Sequence, residues 1–289
     1  MPTSVRGSIA ILGTGLIGGS LALALRGAGV DAPLVGWDRG EVVARAMERG
    51  VVDRAAATPE AACQGAAVIV LALPVGAILD LLPRVVGAAE PGALITDTGS
   101  TKRRIMAAAA AALGPRREVE FLGGHPMAGR AQGGLEQADA GLFAGAAWLL
   151  TGDGAAPSAA AAAWAEQLAG IGARPLWTTA ELHDAALARL SHLPQLLSTA
   201  LGLEIGAAFA AHPAWDGLLA AAGPGACDML RLAASPYVLW RDILLTNSDE
   251  IDAALAECQQ TLDWLRQNLR SRELEAAFAA AAEAIPSRR

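Results

Sequence analysis

Residues 123–129 read GGHPMAG and place His125 among glycines, directly after the apolar run at 119–122. Histidine is the side chain whose unperturbed pKa, about 6.5, lets it exchange protons near neutral pH. Because glycines have no side chains, an imidazole between them at the end of a strand lies close to any ligand that enters the space left there. The segment therefore predicts a general base, against the simpler interpretation of a loop histidine hydrogen-bonded to backbone.

A glycine-rich turn precedes this segment by about a hundred residues. The pattern G-x-G-x-x-G follows a predicted strand and opens a predicted helix, the arrangement that binds the pyrophosphate of a dinucleotide. Asp38 ends the next strand candidate, where a carboxylate would accept the ribose hydroxyls of NAD. Adjacent Arg39 leaves NADP open as the alternative. The predicted cofactor contacts are Gly13, Thr14, Gly15, Leu16, Ile17, Gly18, Asp38, Arg39, Leu73, Pro74 and Ser100.

A third motif, DTGSTK at 97–102, follows a strand candidate that ends at Thr96. In an open parallel sheet, ligands bind at the carboxyl ends of the strands. His125 ends the next strand along the chain, so we expect the Ser100 hydroxyl to reach and orient it. The competing interpretation is a helix N-cap by Ser100 or Thr101, which requires no ligand. Lys102, within the motif, is the single lysine of the chain.

The elements that must position these residues divide the chain into two parts. Short apolar runs alternate with helical patterns up to about residue 177, which predicts an α/β domain with a Rossmann-type, doubly wound parallel sheet over 1–177. Beyond it, helical patterns alone continue, including runs at 180–211 and 215–232. This predicts an all-α substrate and dimerisation domain over 178–289.

Two features of the helical part could bind an anion or belong to a pocket. Arg231 sits in the mostly apolar stretch 229–234, where a buried guanidinium would require Asp228, Asp242 or a substrate carboxylate as its partner. The sequence favours a structural role and a pocket role for His192 about equally. His183, next to Asp184, and His212 are interpreted as structural.

Composition narrows the class of protein and its partners. The chain is 53% hydrophobic, 18% charged and carries a net charge of −7, which indicates a globular protein and disfavours nucleic acid. Three widely spaced cysteines have no metal-ligand spacing and indicate reduced thiols in the cytoplasm, and no metal site is expected. The apolar stretch 190–227 is interrupted by prolines and histidines, so we interpret it as the core of a homodimer rather than a membrane span.

Taken together, the three motifs resemble the prephenate and arogenate dehydrogenase family of tyrosine biosynthesis, over nearly the whole chain. Further marks of the resemblance are SHLP at 191–194 and WRDI at 240–243 leading to Asn247. Members of that family oxidatively decarboxylate a cyclohexadienol with NAD or NADP. The resemblance implies conversion of prephenate to 4-hydroxyphenylpyruvate, with arogenate or dual specificity as the alternative.

The resemblance also implies roles for individual residues. His125 would accept the proton of the ring hydroxyl, Ser100 would orient His125, and Arg231 would hold a substrate carboxylate. The other implied substrate contacts are His192, Gln195, Arg130 and Lys102.

Two departures from the family pattern bear on the substrate. Arg130 stands where the family often has threonine, and we expect its positive charge to favour prephenate by repelling the ammonium of arogenate. Gln195 stands where many prephenate-using members have a second histidine, which favours arogenate.

The sequence is also compatible with three rival functions. One is a hydroxyacid dehydrogenase or imine reductase of the same general architecture. Another is a paralogue that acts on an amino-substituted prephenate analogue, which the departures at Arg130 and Gln195 keep open. The third is a non-catalytic NAD-binding sensor, which the joint presence of His125, Ser100 and Arg231 argues against.

Overall fold

A computed structural model describes residues 7–116, 118–130, 132–152, 156–215 and 217–284. Within these residues, eight strands form one sheet in the order β3-β2-β1-β4-β5-β6-β7-β8. The strands are β1 (Ser8–Leu12), β2 (Leu34–Trp37), β3 (Arg54–Ala55), β4 (Ala66–Leu71), β5 (Leu94–Asp97), β6 (Glu120–Pro126), β7 (Ala147–Thr151) and β8 (Arg174–Thr178).

Twelve α-helices connect or follow these strands in the described residues. They are α1 (Leu16–Gly27), α2 (Gly40–Glu48), α3 (Pro59–Cys63), α4 (Val75–Ala88), α5 (Arg103–Leu113), α6 (Ala159–Gly170), α7 (Ala180–Leu187), α8 (Leu193–Ala211), α9 (Pro224–Ala233), α10 (Tyr237–Thr246), α11 (Ser248–Gln267) and α12 (Glu273–Ala284).

The sheet is parallel except for one pair of strands. β6 and β7 run antiparallel, with His125 opposite Leu149, whereas every other neighbouring pair is parallel. The prediction of a parallel, doubly wound sheet is therefore confirmed, with this one reversal. Because β1, β4, β5 and β6 all run in the same direction, the turns that follow them meet at one edge of the sheet.

Both faces of the sheet are covered by helices, which explains why its strands read as continuous apolar runs. Along β1, Ile9 and Ile11 belong to one core and Ala10 and Leu12 to the other, because successive side chains of a strand point to opposite faces. The first core includes side chains of α1, α2 and α6, and the second includes side chains of α3, α4 and α5.

The chain separates into two compact units that differ from the predicted division after residue 177. The first unit contains the sheet, extends to Leu187, and also includes Ala234–Asn247. Polar contacts account for the difference: Asp184 of α7 accepts backbone N–H groups at the start of α5, and Asp242 of α10 accepts the N–H of Gly76 in α4. The hydrophobic pattern of the sequence predicted the last strand, but it did not predict that α7 and α10 belong to the same unit as the sheet.

The second unit comprises Ala188–Ala233 and the chain from Ser248 onward, and all the secondary-structure elements described in it are helices. Helices α8 and α9 contact each other, and Gln195 donates a hydrogen bond from Nε2 to the carbonyl oxygen of Leu232 at 2.8 Å. A π-helical turn, Ala188–His192, comes directly before α8 in the chain and interrupts the helical run expected over 180–211. The single helix expected over 215–232 is instead a short 3-10 turn, Leu218–Ala221, followed by α9.

One helical run of the described residues, 180–211, is long enough to cross a membrane and contains an 18-residue window with a mean hydropathy of 1.3. Buried core helices of soluble proteins pass the same test of length and composition, but only 11% of this window is buried within the chain. The second unit also exposes large apolar side chains on other helices, including Leu262 of α11 and Phe278 of α12. Its apolar surface is thus distributed over several helices rather than confined to one spanning segment.

Candidate active site

The turn at residues 13–18, here called the glycine turn, connects β1 to α1. Gly13 has φ of 99°, and a Cβ at this position would lie 2.2 Å from the carbonyl oxygen of Ala72. A Cβ at Gly18 would lie 1.9 Å from the carbonyl oxygen of Gly13. Both positions therefore require glycine for packing. A Cβ at Gly15, in contrast, would meet nothing within 4 Å, so the backbone there borders open space.

The geometry of the turn fits a dinucleotide. Gly15 is the N-cap of α1 and provides no side-chain hydrogen bond, so the first N–H groups of the helix are directed toward this space. A helix N-terminus with exposed donors and a favourable dipole is a ready site for phosphate. Thr14 is buried within the glycine turn, and Leu16 and Ile17 are half-buried in the first turn of the helix.

Asp38 lies beside the glycine turn, as the spacing predicted. Its Oδ2 accepts the backbone N–H of Thr14 at 2.7 Å, and its Oδ1 accepts the N–H of Arg39 at the same distance. These bonds fix a negative charge at the end of β2. Arg39 is exposed next to it. Leu73 borders the same turn, since its Cδ2 would lie 2.9 Å from a Cβ on Gly13, and Pro74 is exposed at the start of α4.

His125 lies at the end of β6, at the same edge of the sheet as the glycine turn, and only 8% of it is exposed. Its Nδ1 is 2.9 Å from Nε2 of His183, and Nδ1 of His183 is 2.8 Å from Oδ1 of Asp184. Three side chains from β6 and α7 thus form a continuous hydrogen-bonded chain. His183 and Asp184 were interpreted from sequence as structural, so their link to His125 was missed.

Asp184 is the end of this chain and is fully buried. Oδ1 also accepts the N–H of Lys102 at 2.7 Å, and Oδ2 accepts the N–H of Arg103 at 2.9 Å. Burial by itself raises the pKa of Asp184. The hydrogen bonds from His183, Arg103 and Lys102 together lower the pKa by more than burial raises it, so it lies below its ordinary value. The residue is therefore a carboxylate at neutral pH.

These contacts also revise the expected helix cap. Neither Ser100 nor Thr101 caps α5, whose N-terminal N–H groups are satisfied by Asp184, 82 residues further along the chain. The Thr101 hydroxyl instead lies 2.7 Å from that of Thr246. A cap donated from a distant helix leaves no local signal, so the motif at 97–102 could not reveal it.

Lys102 does not have the exposure that a substrate contact requires, and that prediction is corrected. Its side chain is 0% exposed, its ammonium forms an ion pair with Asp97, and it donates to the carbonyl oxygen of Gly124 at 2.7 Å. Asp97 in turn accepts the N–H of Gly124 at 3.0 Å. The pair joins the ends of β5 and β6 directly before His125. We call Asp97, Lys102, His125, His183 and Asp184 the histidine cluster.

The glycines before His125 are explained by this pair. A Cβ at Gly124 would lie 2.4 Å from the carbonyl oxygen of Asp97, and one at Gly123 would lie 2.1 Å from the hydroxyl of Thr151 and 3.3 Å from Cδ of Lys102. The two glycines thus allow the ion pair and the neighbouring strands to pack closely. Their role is dense packing, and the gap expected from sequence is filled on this side by protein.

Two other predicted residues belong to the same unit. Ser100 is half-buried on the loop that follows β5. The Nδ1 atom of His125 is already hydrogen-bonded to His183. Orientation of His125 by Ser100 stays a prediction, and it would have to act on another part of the imidazole ring. Arg130 is exposed and forms an ion pair with Asp139, which compensates the charge that was expected to repel an ammonium.

The remaining predicted substrate contacts lie in the second unit. His192 is buried at the end of the π-helical turn, and Gln195 is buried on α8. The Oε1 atom of Gln195 is buried without a hydrogen-bond partner in the described part of the chain. Arg231 was expected to be buried among apolar residues, but it is exposed on α9 because neighbours such as Met229 are themselves exposed.

Fold and site together define the class: a nucleotide-binding oxidoreductase whose sheet domain is followed by a helical part. The family model for the prephenate dehydrogenase nucleotide-binding domain matches residues 21–176, and that for the prephenate dehydrogenase dimerization domain matches residues 179–282. The chain belongs to the prephenate dehydrogenase family.

Individual relatives are similar over most of the chain. A prephenate dehydrogenase of Lactococcus lactis subsp. cremoris is 33% identical over 93% of this chain and 73% of its own length. A cyclohexadienyl dehydrogenase of Zymomonas mobilis is 30% identical over 92% of this chain and 89% of its own length. The crystal structure of Synechocystis arogenate dehydrogenase superposes with a TM-score of 0.81 at 29% identity, over 96% of this chain and 98% of that one.

Proposed function

We propose that the protein catalyses the NAD-dependent oxidative decarboxylation of prephenate to 4-hydroxyphenylpyruvate and CO₂. The observation that carries the proposal is His125, a buried imidazole at the same sheet edge as an open glycine turn, in a chain of this family. The Lactococcus relative is a prephenate dehydrogenase, and this supports the choice of substrate.

The chemistry follows from the residue types. A ring nitrogen of His125 accepts the proton of the ring hydroxyl, so that a carbonyl forms as the C–H bond on the same carbon breaks. Bound NAD supplies the acceptor for the hydride. The ring carboxylate then leaves as CO₂, its bonding electrons complete the aromatic ring, and His125 returns its proton to the phenolate oxygen. In this scheme Ser100 orients the imidazole and exposed Arg231 binds a substrate carboxylate.

Asp38 supports NAD over NADP. Its carboxylate is held beside the glycine turn by the N–H of Thr14, at 2.7 Å, where it accepts ribose hydroxyls and repels a 2′-phosphate. Arg39, exposed next to it, is the feature that would admit NADP.

Arogenate is the second candidate substrate, and Gln195 favours it. The buried, unpartnered Oε1 of Gln195 is an acceptor that suits the ammonium of arogenate, which the keto group of prephenate lacks. The similarity to arogenate and cyclohexadienyl dehydrogenases supports the same alternative. The pairing of Arg130 with Asp139 removes the charge argument against it.

The test is a set of initial rates of absorbance rise at 340 nm, with prephenate and arogenate each paired with NAD and NADP. Replacing His125 by Asn should reduce turnover by about 10²–10⁴-fold while the Kd for NADH stays unchanged. His212→Asn is the matched control, because the His212 side chain is exposed, stacks on Trp215 and hydrogen-bonds only to the carbonyl of Ala208 among the described residues. Full turnover in the His125 variant would exclude the proposed base.

We also propose that the protein is a cytoplasmic homodimer formed through its helical part. The match to the family's dimerization domain and the exposed apolar side chains of the second unit support the dimer. The three cysteines are free thiols in the structure, in keeping with a reducing compartment. Sedimentation equilibrium would measure the dimer, and a monomer at micromolar concentration would refute it.

A further inference from the structure

We propose that His183 and Asp184 are positioning residues that fix the tautomer of His125, with the proton on Nδ1 and the lone pair on Nε2. The inference rests on the proposed function, because it concerns which nitrogen of His125 acts as the base. It assigns a role to two residues that sequence patterning treated as structural.

The argument begins at Asp184, whose carboxylate can only accept hydrogen bonds. Four donors converge on it: Nδ1 of His183 and the N–H of Lys102 on Oδ1, and the N–H and, at 3.4 Å, the Nε of Arg103 on Oδ2. An ionised carboxyl group with this set of partners has no proton to give. The proton between Asp184 and His183 therefore resides on Nδ1 of His183.

His183 itself is neutral. It is 1% exposed, and the charged or titratable groups around it are Asp184, Asp97, Lys102 and His125. Burial lowers the pKa of His183 and the nearby Lys102 charge lowers it too, which together outweigh the attraction of Asp184 and Asp97. A neutral imidazole that carries its proton on Nδ1 has its lone pair on Nε2.

The tautomer of His125 follows from this lone pair. Nε2 of His183 can only accept, so the 2.9 Å contact requires Nδ1 of His125 to donate. Neutral His125 has one N–H group, and with the proton on Nδ1 its Nε2 is the basic nitrogen. Were His183 protonated, its Nε2 would donate instead, and the proton of neutral His125 would move to Nε2 and remove the base. We call the hydrogen bonds from Asp184 through His183 to His125 the relay. Because His183 is buried and neutral, the relay keeps the proton of His125 on Nδ1.

The two positioning residues can be separated experimentally, because Asp184 has a second task. Its carboxylate also holds the start of α5 through Lys102 and Arg103, so replacing it would disturb that helix as well as the relay. The side chain of His183 connects only Asp184 and His125 among the hydrogen bonds described. Variants of His183 therefore test the relay itself.

The tautomer can be measured directly by long-range ¹H–¹⁵N correlation of the full-length protein labelled with ¹⁵N-histidine and saturated with NAD⁺. The chain has four histidines, and the His125→Asn variant assigns the signal of His125. In the wild-type protein we expect the Nδ1–H form, the less common tautomer in water. If His125 is instead the Nε2–H form, the proposal is wrong, whether or not any variant folds.

Two variants of His183 form a matched pair. The side-chain oxygen of His183→Gln falls near the place of Nε2 and keeps an acceptor for His125, whereas His183→Leu provides none. We expect the Gln variant to retain the Nδ1–H form of His125. The Leu variant should shift to Nε2–H and lose about 10²-fold or more in kcat, with KM for both substrates changed little. A Leu variant that keeps the Nδ1–H form would overturn the proposal.

Failure of the proposed function gives a different result. If the wild-type protein turns over neither prephenate nor arogenate, the substrate assignment fails, while the tautomer of His125 in the same sample is still measured. If turnover is present and the tautomer is Nε2–H, the relay fails and the function stands.

Discussion

At the carboxyl edge of the sheet, the glycine turn borders open space with backbone, whereas the histidine cluster buries charged side chains. The turn needs almost no side chains: Gly15 has no neighbour within 4 Å of a Cβ, and Asp38 contacts it through Thr14. The histidine cluster places Lys102 and Asp184 at 0% side-chain exposure. In the proposed function, the same edge would therefore bind the cofactor through a shaped backbone and hold a proton acceptor in a preorganised network.

This difference has an energetic side. Buried charges are costly unless each has a partner, so the histidine cluster is stable only as a complete set. Removing one member leaves another uncompensated. The glycine turn has the opposite weakness, because any added side chain occupies space that the fold or the ligand uses. Substitutions should therefore damage the first region by deletion and the second by addition.

The largest expected effect is that of Lys102→Met. The substitution keeps the aliphatic stem but leaves the Asp97 carboxylate buried without its ion-pair partner, which should lower the free energy of unfolding by about 3–5 kcal/mol. Urea denaturation measures this loss.

Arg84→Met is the matched control for that prediction. Arg84 pairs with Glu60 at 2.6 Å on the surface, where solvent screens both charges, and its loss should lower the free energy of unfolding far less than the loss of Lys102. If the two variants lost the same free energy of unfolding, burial of the Lys102–Asp97 pair would not increase its contribution to stability.

The next effect separates two alanine substitutions within the glycine turn. Gly18→Ala places a Cβ 1.9 Å from a backbone oxygen, and we expect it to cost about 1–3 kcal/mol of stability and to impair NADH binding. Gly15→Ala should leave the denaturation curve nearly unchanged and still raise the Kd for NADH by about tenfold or more, since its Cβ enters the space assigned to the ligand.

Fluorescence titration with NADH, alongside urea denaturation, checks both variants. If Gly15→Ala binds NADH as well as the wild-type protein, the open space at this position is not the pyrophosphate site.

The smallest effect concerns pH. Burial lowers the pKa of His183 in the folded protein. Below the unfolded-state pKa of about 6.5, His183 is therefore protonated in the unfolded chain but still neutral in the native protein. This contribution to stability is present above that value and is lost as the pH falls toward the folded-state pKa. The slope is at most about 1.4 kcal/mol per pH unit. Asp184, with its pKa below 3.8, contributes only at lower pH.

Comparing the unfolding free energy at pH 7.5 and pH 5.5 in the wild type and in His183→Gln tests this assignment. The variant should show a shallower decline. An identical decline would assign the acid sensitivity to other groups.

The two regions also differ in how far sequence could predict them. The glycine turn and its acidic partner all lie between residues 13 and 38 at diagnostic spacing, and each element of that prediction has a place in the structure. The histidine cluster joins residues from 97 to 184, and no local pattern links them. His125 could be singled out by its glycine neighbours, but the helix that carries His183 and Asp184 could not be assigned to it.

Two predictions about the exposure of side chains were wrong, and each has a physical reason. Lys102 was expected to contact substrate from its place in the motif and the family resemblance, yet its ion pair with Asp97 allows it to be fully buried. Arg231 was expected to be buried because its neighbours are apolar, but the second unit exposes many apolar side chains. Patterning reads polarity along the chain and cannot tell an apolar helix inside a core from one at the surface.

The burial of Lys102 has a practical consequence. It carries the single side-chain amine of the 289-residue chain, and none of it is exposed in the native fold. An acylating reagent can reach this amine only when the ends of β5 and β6 separate. The rate at which Lys102 is modified would therefore report, from one covalent bond in one peptide, how often this edge of the sheet opens.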